Sequence, residues 1–319
     1  MKKWLGIGMV LFALIIMLTA CNEEDEGADV ASSTAEAEEN TADSDDAETA
    51  EEDVDRSDWP DTVKFAAAGI EGMEELTRRF DEFSALMEDL MGVEFEMFSL
   101  SDRTVSSTAL EYGQVDMVLL GPSEYILSKI ANPEIELVGG LERENYYTVF
   151  ITHADSGIET LDDLVGKTIA MKDSGSTSGH IGPSGILVDE GYDLDEDFDI
   201  QLLGDASLEA LRAGEVDAMG DGVKHYHTLV ELDGEDEWNL LYEGPPLPPD
   251  PFILGTTLPD SFKEEFERVL SESDEEILDA ILASEDNDKY EDGSIIEVMD
   301  EDYDLMRETY EILGLDLEE

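Results

Sequence analysis

Along residues 60–313, the spacing of hydrophobic and polar residues alternates between the period typical of strands and the period typical of helices. This alternation predicts strands and helices in turn. The first apolar run, Thr62–Ala68, predicts a strand, and Glu74–Met91 then carries apolar residues at the spacing of one helix face. Val115–Leu120 is almost continuously apolar, which is typical of a strand buried on both faces. The pattern predicts further strands at Val93–Phe98, Glu136–Gly140, Tyr146–Thr152, Thr168–Met171, Asp199–Leu203 and Val216–Met219, and further helices at Val105–Tyr112, Leu161–Val165, Ser184–Asp189, Ser207–Ala213, Ser261–Leu270, Asp274–Leu282 and Tyr303–Leu313.

Two distant stretches of the chain repeat one plan of strand, helix and strand. Residues Ala109–Asp116 are echoed by Ala210–Asp217, and both stretches end a helix on glycine and enter a strand at Val-Asp. A repeated unit of this kind predicts an α/β fold in two lobes, each with a mainly parallel sheet flanked by helices. Two such lobes form a clamshell with a ligand in the cleft between them.

The first residues are typical of an export signal. Lys2 and Lys3 precede the apolar run Trp4–Ala20, which ends in Leu18-Thr19-Ala20-Cys21 and is followed by acidic residues. The acids provide no cationic anchor for a membrane span, and the small residues fit a cleavage site. This segment resembles a bacterial lipobox, which implies a signal peptide at 1–20 and a lipid on Cys21. An ordinary signal anchor with an incidental cysteine is the alternative.

Residues 21–59 offer almost nothing to bury, because they are mostly Ala, Ser, Thr, Asp and Glu. Such a composition predicts a disordered acidic tether between the lipid and the folded body. The body that follows is divided by the pattern into lobe 1 at 60–148, lobe 2 at 149–252 and C-terminal helices at 253–319 that return to lobe 1.

Charge excludes several classes of function. The 319 residues include 17 Lys and Arg against 83 Asp and Glu, a net charge of −66. This balance argues against nucleic acid as a partner, since phosphate backbones are bound by cations, and it suits high salt or an alkaline exterior. One cysteine excludes an internal disulfide, a multi-thiolate zinc site and an iron–sulfur cluster. The acidic clusters also lack the spacing of a calcium loop, so we expect no metal and no cofactor.

The strongest local motif is Ser174-Gly175-Ser176-Thr177-Ser178-Gly179-His180, which follows the predicted strand Thr168–Met171. Free backbone N–H groups and hydroxyls at the start of a helix favour an anion. The segment is not a Walker loop, because Gly166-Lys167-Thr168 precedes the strand and Leu161 replaces the first glycine. A flexible loop with a helix cap is the alternative reading of the same residues.

A family resemblance favours the anion site. Gly166–Ala170 followed by Asp173–Gly179 resembles the "GKTVAF…D-x-GSTSG" signature of phosphate, phosphite and phosphonate-binding proteins of ABC importers. Three more segments resemble that family in order and spacing, and together with the first they cover roughly residues 60–282. These segments are Gly113–Asp116 with Leu120–Tyr125, Ala210–Ala218, and Gly244–Pro251.

The resemblance implies a type II periplasmic-binding-protein fold and a set of ligand-binding residues. It implies that the hydroxyls and N–H groups of Ser176, Thr177 and Ser178 hold the phosphonyl oxygens. Tyr125 and Ser123 would face the cleft from lobe 1. Asp250 would contact the protonated or amine-bearing end of the ligand, and His180 stands where the family often has Tyr or His.

Three places depart from the family pattern. Arg103 follows Ser101-Asp102, where the family has an aromatic residue, and it is either a surface residue or an added cation for an anionic ligand. Leu203-Gly204-Asp205 lacks a histidine that the family often has, which weakens the case for aminoalkylphosphonates. Lys224, His225 and His227 form a basic cluster that either lines the cleft or arises by chance.

These observations predict an extracytoplasmic, lipid-anchored and monomeric substrate-binding protein of an ABC importer. Its partners would be a small phosphorus oxyanion and a membrane permease, with a membrane sensor or a different small oxyanion as alternatives. The hinge strands are expected near Tyr147–His153 and Asp250–Gly255. An enzyme is disfavoured, because the body has no cysteine, no Gly-x-Ser-x-Gly elbow and no histidine pair at metal spacing.

Overall fold

Lobe 1 is built on a six-stranded sheet in the computed structural model, which describes residues 55–69, 72–101 and 105–315. The spatial order of the strands is β11-β4-β10-β3-β1-β2. β1 pairs in parallel with β2 and β3, whereas β10 lies antiparallel between β3 and β4. The strands are β1 Thr62–Ala67, β2 Glu94–Met97, β3 Met117–Leu119, β4 Glu136–Leu141, β10 Asp250–Leu254 and β11 Ile295–Ile296.

Lobe 2 has a five-stranded sheet in the order β7-β6-β8-β5-β9. β6 pairs in parallel with β7 and β8, and β5 lies antiparallel between β8 and β9. Three parallel strands followed by an inserted antiparallel strand therefore recur in both lobes, which confirms the predicted two-lobed α/β clamshell. The strands are β5 Tyr147–His153, β6 Thr168–Met171, β7 Asp199–Leu202, β8 Ala218–Gly222 and β9 Trp238–Pro246.

Helices cover both sheets. The longest, α1, presents Leu76, Phe80, Phe83, Met87 and Met91 to the core of lobe 1. α3 begins with a proline at its first turn, a position where the missing N–H costs nothing. The helices are α1 Met73–Met91, α2 Ser106–Glu111, α3 Pro122–Ala131, α4 Gly182–Asp189, α5 Leu194–Asp197, α6 Ser207–Arg212, α7 Val223–Asp233, α8 Asp260–Glu272, α9 Asp274–Leu282 and α10 Asp304–Ile312.

The sequence repeat is also a repeat of local structure. Gly113 and Gly214 follow α2 and α6 with φ of 61° and 68°, a left-handed conformation that favours glycine at a helix end. Asp116 and Asp217 then accept the N–H groups of Lys64 and Thr168 at 3.0 and 2.9 Å, so each carboxylate ties its loop to the first parallel strand of its own lobe.

Two short segments join the lobes. Residues 142–146 lead from β4 to β5, and residues 247–249 lead from β9 back to β10. Both crossings lie a few residues before the predicted lobe boundaries, because β5 already belongs to the sheet of lobe 2 and β10 to that of lobe 1. The strands expected at the hinge, β5 and β10, thus begin directly after the crossings.

The end of the predicted tether belongs to lobe 1. Arg56 donates to the Met91 carbonyl at 3.0 Å and lies 4.7 Å from the Trp59 ring centroid. Trp59 packs edge-on against Phe262, with 5.0 Å between centroids, and donates to Ser261. Residues 55–59 are therefore ordered by an aromatic anchor, contrary to the expectation. The lipidation site Cys21 and the rest of the tether lie outside the described residues.

Among the described helices, none combines the length and the apolar character that a membrane span requires.

Candidate ligand-binding cleft

A cavity of about 890 Å³ lies between the two lobes. Lobe 1 contributes the ends of its first and third strands and the residues just before α3. Lobe 2 contributes the segment after β6 and the start of α7, and residues 286–292 close a further side. The ends of parallel strands from both lobes thus meet at one site, where loops can position polar groups for a ligand.

The predicted serine turn forms one wall. Ser176, Thr177 and Ser178 all line the cavity, and residues Thr177–Ile181 form a π-helical turn that continues into α4. π-turns widen a helix locally and are frequent at functional sites. The first N–H groups of such a turn have no acceptor within the helix, so they are available to an anion.

The three hydroxyls of this turn have different surroundings. Ser176 is nearly buried, yet its hydroxyl has no hydrogen-bond partner among the described residues. Ser178 interacts through its side chain with the Tyr146 hydroxyl. Thr177 Oγ1 accepts the backbone N–H of Ser123 at 3.1 Å, which joins the serine turn of lobe 2 to α3 of lobe 1. Ser176 therefore has the hydroxyl best placed to bind a ligand.

Ser123 and Tyr125 do not line the cavity. The Ser123 hydroxyl donates to the Gly175 carbonyl at 2.7 Å, and Tyr125 donates to Asp300 at 2.5 Å. Burial raises the pKa of Tyr125, so the phenol remains protonated. Both side chains were expected to face the cleft. They instead lie behind its wall, because partners from lobe 2 and from the C-terminal region engage their hydroxyls.

An apolar seam accompanies these interlobe hydrogen bonds. Ile181, which ends the serine turn, is 7% exposed and packs in one cluster with Tyr125, Ile126, Met306 and Tyr310. The C-terminal helix α10 thereby contacts both lobes.

His180 stabilises the turn from within. Its Nδ1 accepts the Gly175 N–H at 3.2 Å, and it does not line the cavity. Burial lowers the pKa of His180 more than Asp173 raises it, which favours the neutral imidazole that this hydrogen bond requires. Arg103, the remaining predicted site residue, lies outside the described residues.

Asp250 lies at the centre of a buried ionic cluster. The carboxylate is 2% exposed, and its Oδ2 accepts Arg143 Nε at 3.0 Å, the Tyr290 hydroxyl at 2.7 Å and Lys289 Nζ at 3.3 Å. Nη2 of Arg143 donates to the same oxygen. Burial would raise the pKa of Asp250, but Arg143 and Lys289 outweigh the burial and hold it below its ordinary value.

Two tyrosines shape the cationic side of this cluster. Arg143 lies 4.2 Å from the Tyr146 ring centroid and 5.5 Å from that of Tyr290, within the range of cation–π attraction. Burial and the neighbouring Arg143 lower the pKa of Lys289 to about 7, although Asp250 opposes the shift. Burial also raises the pKa of Tyr146 to about 12.

Arg143, Tyr146, Lys289 and Tyr290 were not predicted from the sequence. They come from two segments far apart in the chain, and none of them stands in a motif. The one signal available in the sequence is the rarity of basic residues. With 17 Lys and Arg in 319 residues, each basic residue of the folded body merits attention.

Lys224, His225 and His227 do line the cavity. Lys224 pairs with Asp288, and His225 Nδ1 lies 3.1 Å from the buried carboxylate of Asp221. The basic cluster is thus already engaged with acids of the same wall. Asp205, at the position where the family often has histidine, reaches Lys172 at 2.5 Å.

Residues 65–303 match the family described as the periplasmic phosphonate substrate-binding protein of ABC transporters. The chain belongs to this family, a class of solute-binding proteins of transport systems. This confirms the family predicted from the sequence motifs.

Individual proteins agree with this assignment. The phosphate-import protein PhnD of Mycolicibacterium smegmatis is 27% identical over 139 residues, which are 42% of this chain and 43% of that relative. The match therefore spans less than half of the relative's length.

Two solved structures share the fold. PhnD1 from Prochlorococcus marinus, in complex with methylphosphonate, superimposes with a TM-score of 0.66 at 17% identity over 80% of this chain and 99% of that one. A binding-protein component of a phosphonate ABC transporter from Pseudomonas aeruginosa gives 0.62 at 17% identity, over 79% and 85%.

Proposed function

We propose that this protein is a lipid-anchored, extracytoplasmic receptor that captures a small phosphorus oxyanion and delivers it to an ABC permease. The observation that carries the proposal is the combination in one cavity of the serine turn with the cations Arg143 and Lys289. A protein with a net charge of −66 repels anions in general, so two partly buried cations beside free donors, in a cavity whose other charged lining residues are mainly acids, are a specific exception.

Capture requires no covalent step. The serine turn would bind the phosphoryl oxygens through hydroxyls and N–H groups, while Arg143 and Lys289 supply positive potential that favours the anion. Asp250 would act in this site by orienting both cations. The Ser123–Thr177 hydrogen bond and the Ile181 seam form only when the lobes are together, so they would stabilise the closed form that a permease recognises.

Ser176→Ala is the sharpest test of the serine turn. The Ser176 hydroxyl has no partner among the described residues, so its loss should leave the free energy of unfolding almost unchanged. Methylphosphonate and phosphite should bind about tenfold more weakly, because a hydrogen bond to a charged acceptor is lost. Titration calorimetry of the purified protein, with urea unfolding in parallel, measures both quantities.

Ser184→Ala is the matched control. Ser184 is equally buried on α4, but its hydroxyl contacts Met171 Sδ at 3.8 Å and does not line the cavity. Its affinity for methylphosphonate should stay native. If the Ser176→Ala and Ser184→Ala variants bind methylphosphonate with equal affinity, the serine turn is not part of the site. If phosphate, phosphite and methylphosphonate all fail to bind the native protein, the proposed function is refuted.

The lipid anchor is tested by Cys21→Ser. Without the thiol no lipid can be attached, so the protein should be released into the medium or should retain its signal peptide. Membrane fractionation and the mass of the N-terminal peptide distinguish these results from native anchoring. A variant that is cleaved and still sediments with membranes as the native protein does would contradict a lipid on Cys21.

A further inference from the structure

The Asp250 cluster carries more positive charge than its own carboxylate balances. Arg143 and protonated Lys289 face a single carboxylate, and Tyr290 contributes a neutral donor. All four side chains line the cavity. With Lys289 protonated, these four side chains together have a net charge of +1. The side chains of Arg143 and Lys289 are 17% and 29% exposed, so the excess charge lies at a partly desolvated position, where a counter-ion would stabilise it.

Several donors of this cluster remain unused. The contacts of Arg143 with described residues engage Nε and Nη2, and Nη1 donates to none of them. Lys289 makes one hydrogen bond, to Asp250, although an ammonium group has three donors. These N–H groups are therefore available to an acceptor in the cavity.

The serine turn and the cationic cluster are separate binding surfaces. Tyr146 lies between them: its ring stacks on Arg143 at 4.2 Å, and its hydroxyl interacts with Ser178. The two surfaces are thus one tyrosine side chain apart. The cavity of about 890 Å³ also exceeds what one small tetrahedral anion fills, since pockets of this size enclose much larger ligands.

We infer that the preferred ligand carries two acidic groups: a phosphonyl or phosphoryl group on the serine turn, and a carboxylate or second phosphoryl group on Arg143 and Lys289. This inference rests on the proposed function and specifies its substrate class. A short carbon linker joins the two groups, because only the Tyr146 side chain separates the surfaces.

An ammonium-bearing phosphonate is disfavoured by the same charges. Asp250 already has two cations, and Asp221, the other buried carboxylate of the wall, has His225 at 3.1 Å. Among the more exposed acids of the cavity, Asp205 and Asp288 are paired with Lys172 and Lys224, whereas Glu144, Glu291 and Asp292 form no ion pair with the described residues. A ligand ammonium would approach a positively charged cluster, and each of the paired carboxylates already has a cation or a histidine beside it, although Oδ1 of Asp250 accepts no hydrogen bond from the described residues.

The experiment compares four probes by titration calorimetry at pH 6.5, where Lys289 is protonated: methylphosphonate, phosphonoacetate, 3-phosphonopropionate and 2-aminoethylphosphonate. One of the two carboxylate-bearing probes should bind at least about tenfold more tightly than methylphosphonate, as expected for one added charge-assisted hydrogen bond. The aminoethyl probe should bind at least about tenfold more weakly than methylphosphonate.

Two variants assign the gain to the cluster. The quantity compared is the Kd of methylphosphonate divided by the Kd of the tighter carboxylate-bearing probe. This ratio should fall to about one in Lys289→Met. It should also fall to about one in the double variant Arg143→Gln with Asp250→Asn, which keeps the buried pair neutral. Lys224→Met is the matched control, because Lys224 lines the same cavity but pairs with Asp288, and it should preserve the ratio. Circular dichroism establishes that each variant is folded.

The outcomes separate this inference from the proposed function. If Ser176→Ala weakens methylphosphonate binding but neither carboxylate-bearing probe binds more tightly than methylphosphonate, the inference is overturned and the proposed function stands. A gain that survives both cluster variants also overturns it. An absence of binding by all four probes overturns the inference, and the proposed function is overturned as well if phosphate and phosphite also fail to bind.

Discussion

Replacing Arg143 with methionine is expected to lower the free energy of unfolding by about 3 kcal/mol. Arg143 and Asp250 form a buried pair, with side-chain exposures of 17% and 2%. Removing the guanidinium takes two of the four hydrogen bonds from Oδ2 of Asp250 and leaves Lys289 and Tyr290, and breaking a buried pair by removing one partner is strongly destabilising. Urea unfolding in about 1 M salt, where surface charges are screened, measures the change.

A double-mutant cycle shows whether the pair is the cause. Asp250→Asn alone should also destabilise, because two cations then face each other, whereas the double variant should lose much less than the sum of the two single losses. Arg212→Met is the control: Arg212 pairs with Asp233 near the surface, and its loss should cost less than about 1 kcal/mol. Additive losses at Arg143 and Asp250 would show that packing, not charge pairing, stabilises the cluster.

Stability is expected to rise with pH between about 7 and 9.5 because of Lys289. Burial first, and then Arg143, lower its pKa from 10.5 to about 7 in the folded protein. The unfolded chain keeps the proton up to about pH 10.5, so in this window it binds more protons than the folded chain. Stability therefore increases as pH rises through the folded pKa, the opposite of the effect of a lysine stabilised by an ion pair.

The measurement is urea unfolding at several pH values in about 1 M salt, with Lys289→Met beside the native protein. The variant should be the more stable of the two near pH 6.5, and its advantage should shrink toward pH 9.5. Lys167→Met, at an exposed lysine 3.9 Å from Asp217, should show no such convergence. A constant difference between native protein and Lys289→Met across the window would show that Lys289 keeps its proton in the folded state.

Local signals predicted the architecture well. The glycine that ends α2 and the aspartate that enters β3 recur after α6, because one helix ending and one carboxylate-to-strand hydrogen bond are sufficient to define the unit. Short-range chemistry of this kind is encoded within a few residues. The predicted parallel strands were correspondingly close to those observed, although β8 extends to Gly222 through Gly220 and Asp221, residues of low strand propensity.

The cleft was predicted less completely, for a physical reason. The serine turn lies within one segment and was recognised there, whereas the Asp250 cluster joins side chains 107 and 39 positions apart in the chain. The pattern does not predict helix α7, whose first turn contains the basic residues Lys224 and His225, or strand β9, which ends in prolines that resemble a family motif. Tyr125 was placed in the cleft because its motif is local, but its partner Asp300 is 175 positions away.

Because β10 follows the strands of lobe 2 in the chain but belongs to the sheet of lobe 1, the two lobes can be completed at different times during synthesis. All five strands of lobe 2 lie within Tyr147–Pro246, so that lobe can close as soon as this stretch has emerged. Lobe 1 must wait, because β10 fills the gap between β3 and β4. Until then both strands have an unpaired edge, which is a template for intermolecular pairing. A chain truncated before Asp250 would therefore combine a finished lobe 2 with an aggregation-prone half-sheet.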